Sequence, residues 1–156
     1  MDKIKALIDG IDVEQGLEKI LPDIEKLLAV LPPVMKWAVM AGPLVLLFFG
    51  LIYLLIPPKE ANHSFGFRTY FGMGSVEAWR FTQRIAGLGL SVLGLVLSIV
   101  MYMVSKDFAG LDAYVMMDKA AKCLLWEAGL TLLFYIAISV TTAVFFDRHG
   151  DRRRKK

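Results

Sequence analysis

Three stretches of this chain are apolar almost without interruption. Residues 35–56 carry a single charge, Lys36, near the start; residues 85–104 carry none; residues 123–146 carry only Glu127. A helix needs about 20 such residues to cross the hydrocarbon core of a bilayer. The pattern therefore predicts three transmembrane helices, at about 35–56, 83–104 and 121–146. The expected fold is all-α: an integral membrane bundle of three transmembrane helices with an N-terminal amphipathic helical segment.

That N-terminal segment, residues 1–33, follows a different rhythm. Ile4, Leu7, Ile8 and Ile11 recur at helical spacing, as do Leu17, Ile20, Leu21, Ile24, Leu27, Leu28 and Leu31, with charges between them. Asp12 and Gln15 resemble a capping box that opens a second helix. Pro22 is expected to kink or restart it, and Pro32-Pro33 to end it, since proline lacks an N–H and clashes with the preceding turn. Such a stripe suits a helix on the bilayer surface, on a partner, or against the protein's own outer loops. Within the first span, Gly42-Pro43 predicts a kink, and Pro57-Pro58 marks its exit. In the second span, Gly87, Ser91, Gly94 and Ser98 place small residues on one face, where helix backbones approach closely. The third carries a polar stripe of Glu127, Thr131, Tyr135, Ser139 and Thr142.

Composition supports the membrane reading. The chain of 156 residues is 56% hydrophobic, with a mean hydropathy of +0.55; soluble domains sit nearer 45–50% apolar, roughly. The charged, broken beginning lacks the continuous apolar core of a cleaved signal peptide. The lone Cys123, among apolar neighbours, excludes an intrachain disulfide and reads as packing.

Charge orients the bundle. The tail "DRHGDRRRKK" (147–156) holds six basic and two acidic residues, and residues 57–84 hold four basic and two acidic. Basic residues favour the cytoplasmic side. The tail and the 57–84 hairpin then lie inside and the N-terminus outside. The same basic residues suit anionic lipid, and no aromatic is interleaved with them, so nucleic acid is not an expected partner.

The polar chemistry gathers between the first two spans, in "PPKEANHSFGFRTYFGMGSVEAW". Phe65, Phe67, Tyr70 and Phe71 are interface anchors. Ser75 is placed to cap the next helix, and Glu77 suits that helix's positive end. Trp79, Arg80 and Arg84 fit an inner interface. Arg68 offers a guanidinium fork for phosphate or carboxylate, with Arg80 and Arg84 nearby; alternatively it ties the loop down, with Glu77 as a partner. His63 with Glu60 and Glu77 matches no metal-site spacing, and Ser64, Ser75, His63 and Glu77 show no nucleophile elbow. No metal, cofactor or catalysis is expected. Glu127 stands apart: a carboxylate inside a span is a functional-site hypothesis, competing with pairing to Lys122 or Lys106 or with reaching headgroups at the outer rim.

This stretch resembles the signature of the SdpI family of bacterial membrane proteins, carried by Pro57, Pro58, Asn62, Gly66, Phe67, Arg68, Thr69, Ser75 and Trp79. "KEA" lengthens the step from proline to Asn62, and "YFGMG" replaces the more usual segment. The long immunity proteins of that family have further upstream spans. The resemblance implies protection against a secreted antimicrobial peptide toxin and, in some members, signalling that holds a cytoplasmic regulator at the membrane. It implies a bacterial cell membrane location, with Asn62, Gly66, Phe67, Arg68, Thr69, Ser75, Glu77 and Trp79 as binding candidates. A small transporter or lipid-interacting subunit built on Glu127 is the alternative, and with three spans it needs homo-oligomerisation to form a cavity.

Overall fold

The computed structural model describes residues 13–62 and 64–153, with side chains from residue 26 onward. The capping box at Asp12, the apolar positions 4–11, His63 and residues 154–156 lie outside that range. The described chain forms three long helices: α1 (Val13–Leu55), α2 (Val76–Ser105) and α3 (Ala113–Phe145), with a 3-10 turn at Phe108–Gly110 between the last two. Each is long and apolar enough to cross a membrane. Among the described residues there is no strand beyond a single bridge between Phe146 and Arg152.

One expectation fails. Pro32-Pro33 does not end a helix: α1 runs through Pro22, Pro32, Pro33 and Pro43 without a break. Prolines are tolerated in a long helix when packing holds the turn that loses its hydrogen bond. Here Leu31, Met35 and Met40 pack around a buried cluster of Val39, Leu97, Met101, Phe108, Met116 and Ala120. That cluster grips both sides of the proline pair, and Pro32 and Pro33 share a shallow recess with Ser105 and Phe108. α1 then stops at Leu55, where Ile56 closes the last turn on Ile52 and Pro57-Pro58 follow.

α2 lies against α1 through the small-residue face. A side chain at Gly87 would strike the backbone at Tyr53 and Leu54, and one at Gly94 would strike Leu47 and the Pro43 carbonyl. From the other side, Gly50 faces the backbone of Leu90 and Ser91. Close backbone approach supplies dispersion contacts that lipid cannot, which is how helices associate where both solvent and side chains are apolar. α3 touches this pair far less extensively.

The hairpin 56–75 and the tail 146–153 sit together at one end of the bundle, joined by the hydrogen bond from the Ser75 hydroxyl to the Gly150 carbonyl. The 105–112 connection occupies the other end, beside Pro32 and Pro33 of α1.

Candidate functional site

The hairpin is held from within by its own motif residues. Asn62 opens it: its Oδ1 accepts from the N–H groups of Ser64 (3.0 Å) and Phe65 (2.7 Å), an Asx turn that sets the loop's direction. Trp79, fully buried on the first turns of α2, donates its indole N–H to the Pro58 carbonyl at 2.9 Å. Gly66 lies over the same ring with φ 124°, and a Cβ there would fall 2.5 Å from Trp79 and 3.2 Å from Pro58. The motif glycine and tryptophan are thus one packing unit. Positive φ and the indole both require the missing side chain.

Phe67 is clamped by a residue outside the motif. Gln83, four positions after Trp79 on the same buried face of α2, accepts from the Phe67 N–H at 2.8 Å and donates to the Phe67 carbonyl at 2.7 Å. The Phe67 ring stacks on Tyr135 of α3, with centroids 5.4 Å apart. Thr69 is buried; its Oγ1 accepts from Gly72 at 3.0 Å and tightens the turn at 70–73. Below it Thr82 and Thr142 place their hydroxyls 3.3 Å apart, tying α2 to α3.

Ser75 has two roles. Its Oγ accepts from the Ala78 N–H at 3.1 Å as the N-cap of α2, and donates to the Gly150 carbonyl at 2.7 Å. The tail is folded to receive that bond. Asp147 accepts at Oδ1 from the N–H groups of His149 and Asp151, both at 2.9 Å, and Arg153 donates its N–H to the Phe145 carbonyl. The Asp151 amide above all holds the Asp147 carboxyl below the usual carboxylate range.

The acid and the arginines sort differently from expectation. Glu77 does not pair with Arg68; it faces Arg152 of the tail at 3.9 Å, both side chains exposed. An exposed pair of this kind contributes little, about 0–1 kcal/mol. Arg80 and Arg84 are not beside Arg68 either: they line a recess with Glu77, Phe81 and Arg152. Arg68 opens instead onto a groove of about 520 Å³ shared with Thr69, Tyr70, Tyr135 and Arg148. The Arg68 backbone is fixed, its carbonyl accepting from the Tyr135 hydroxyl at 3.3 Å. Among the described residues its guanidinium has no hydrogen-bond or ion-pair partner, and no acid lines the groove.

Glu127 is 6% exposed. The pairing expected with Lys122 is absent, since Lys122 bonds Asp118 one turn earlier on α3. Glu127 sits five residues past Lys122, between the charged first turns of α3 and its middle. Its Oε2 nests against α1 where Gly42 leaves a notch: a Cβ there would stand 2.7 Å away. Oε1 is buried with no partner among the described residues. Thr131 and Tyr135 continue the stripe toward the hairpin, but Thr142 has turned to α2. Steps of four residues overshoot a 3.6-residue turn and carry the stripe around the helix.

Sequence reasoning placed Asn62, Gly66, Phe67, Thr69, Ser75 and Trp79 in one hairpin, and the structure brings all six into its framework. It missed Gln83, Arg148 and Gly150 as hairpin partners, and Tyr135, read only as part of the polar stripe of the third span, as another. Gln83 left a signal, a lone amide on the Trp79 face of an apolar helix. The other three meet the hairpin only after the chain has crossed the bundle twice more.

No curated protein and no solved structure matches this chain. The sequence profile of the SdpI/YfhL protein family matches residues 59–146, which takes in the hairpin from Lys59 onward, α2 and α3 and more than half of the chain. Three long apolar helices and a proline-to-tryptophan hairpin locked by its own motif side chains accompany that match: the chain belongs to the SdpI/YfhL protein family.

Proposed function

We propose that this protein is a non-enzymatic binding protein of the bacterial cell membrane. It protects the cell from a membrane-active peptide by recognising an anionic group at the hairpin. The observation that carries this reading is the division of labour within the motif. Asn62, Gly66, Phe67, Thr69, Ser75 and Trp79 are spent on holding the loop, whereas the Arg68 guanidinium is left facing an open groove beside Arg148. Two guanidiniums with no acid between them repel. A carboxylate or phosphate bridging them relieves that repulsion and is gripped bidentately. A peptide's terminal carboxylate meets this description. The charge bias of the basic tail at the same end favours a cytoplasmic position for this face, and three spans then put the N-terminus outside. A cytoplasmic regulator presenting an acidic group is the partner in a signalling version of the same reading.

The test is expression in a sensitive bacterium challenged with membrane-active peptides. Arg68→Ala and Arg148→Ala should each lose protection while reaching the membrane in wild-type amounts. Purified protein mixed with an active peptide should leave the peptide's mass unchanged. Turnover of many peptides per protein, lost on substituting His63 or Glu77, would replace this reading with an enzymatic one.

A further inference from the structure

A groove of about 620 Å³ runs between α1 and α3, and its walls are almost wholly apolar: Val45, Leu46, Leu124, Ala128 and Leu132. Its charged lining residue is Glu127, joined by Thr131 and Tyr135 toward the hairpin. We propose that this groove is a binding site for small cationic amphiphiles, entered from the lipid, in which Glu127 takes the ligand's ammonium group.

Three observations carry the proposal. The first is the carboxyl itself, more than nine-tenths buried, with Oε1 unpartnered among the described residues. A buried polar group without a partner is expected to have one in the working molecule. The second is that neither Lys122 nor Lys36 supplies the missing partner. Lys122 is taken by Asp118, and Lys36 lies over the Tyr102 ring at 5.1 Å. The third is shape and chemistry: the volume is that of a small-ligand pocket, roughly 300–1,000 Å³, and one acid among hydrocarbon walls complements one cation on a hydrocarbon body. Glu127 lies five residues past Lys122, roughly 7.5 Å along α3. An alkylammonium ion whose chain lies along the groove brings its ammonium to that depth. The site shares Tyr135 with the arginine groove but neither of its arginines.

The experiment uses the full chain in phosphatidylcholine nanodiscs, one copy per disc, with radiolabelled dodecylamine as the probe and dodecanol as its uncharged control. Equilibrium dialysis should show saturable binding of one amine per protein above empty discs. Glu127→Gln should weaken that binding tenfold or more, without changing the partitioning of dodecanol. Ala128→Trp, which fills the groove from an exposed position, should abolish it with Glu127 intact. Arg68→Ala should leave it unchanged, which separates this site from the hairpin function. Equal amine binding by wild type and Glu127→Gln, or by Ala128→Trp, would overturn the proposal. So would release of the amine when two copies share a disc, since a second copy would then be the groove's occupant.

Discussion

Gln83 holds Phe67 by both halves of its backbone, accepting from the N–H at 2.8 Å and donating to the carbonyl at 2.7 Å. A side-chain amide is used here as a strand neighbour would be: it satisfies an irregular segment that has no ladder to join. Gln83→Leu removes both bonds while keeping the volume. It should lower stability by about 2 kcal/mol or more, since each unmet buried group costs about 1–3 kcal/mol. Gln83→Glu retains the acceptor and should fall between. Thermal unfolding in detergent gives the order, and protease nicking near residue 65 shows where the loss is felt.

Gly66→Ala should be at least as damaging as its small size is misleading. The φ of 124° strains any side chain, and the new Cβ meets the Trp79 ring. Strain of this kind costs about 1–3 kcal/mol before the clash is counted. Trp79→Phe in the same background makes room and should recover part of the loss. Additive losses in the double variant would contradict the packing unit.

Removing the Ser75 hydroxyl acts at two places. Ser75→Ala loses a helix cap, about 1 kcal/mol, and the bond to Gly150. The tail should then become more accessible, read as faster tryptic cleavage at Arg152, while α2 keeps its length. Ser75→Asp keeps the cap acceptor but has no proton for Gly150, and should free the tail without the helix penalty.

Acid should loosen the same turn. Asp147 is held ionised by amides of its own turn, the Asp151 N–H foremost, so its folded pKa lies below its unfolded value, about 3.9. A depressed carboxylate contributes stability above the unfolded value. That contribution is lost as pH falls through the lower folded one. The amide signals of His149 and Asp151 should move together below the ordinary carboxylate range, and Asp147→Asn should flatten both. Titration of Asp147 at an ordinary value would contradict the turn.

Topology has an internal check that does not depend on orientation. The hairpin and the tail share one end of the bundle, so thiol probes at residues 60 and 153 should label from the same side. Residue 5 should label from the opposite side if the N-terminus is outside and the tail inside. Labelling of 60 and 153 from opposite sides would refute the fold itself.

Much of this was legible in the sequence because the signals are local or periodic. Uncharged runs of spanning length mark the helices, and a four-three-four step of Gly87, Ser91, Gly94 and Ser98 marks the face that meets α1. Ser75 announces its own cap. Pro32-Pro33 misled because proline's local cost is readable, whereas the clamp of Val39, Phe108 and Met116 around it is assembled from three parts of the chain. The arginines misled for a related reason. Arg68, Arg80 and Arg84 are close in sequence, but the helix beginning at Val76 points the latter two into a different recess, and Arg148 arrives from the far end of the chain.

The glycine seam between α1 and α2 has a mechanical consequence. Those two helices are seated backbone to backbone, while α3 leans on them more lightly and is pinned at its end by Ser75, Gly150 and the folded tail. Pulled from its C-terminus, the molecule should give way in order: the tail turn unfastens, α3 peels out as a single rod, and the α1–α2 pair yields last and at higher force. The hairpin's floor belongs to that last pair, but the wall formed by Tyr135 and Arg148 leaves with α3. The arginine groove is therefore dismantled by tension well before the motif that frames it comes apart.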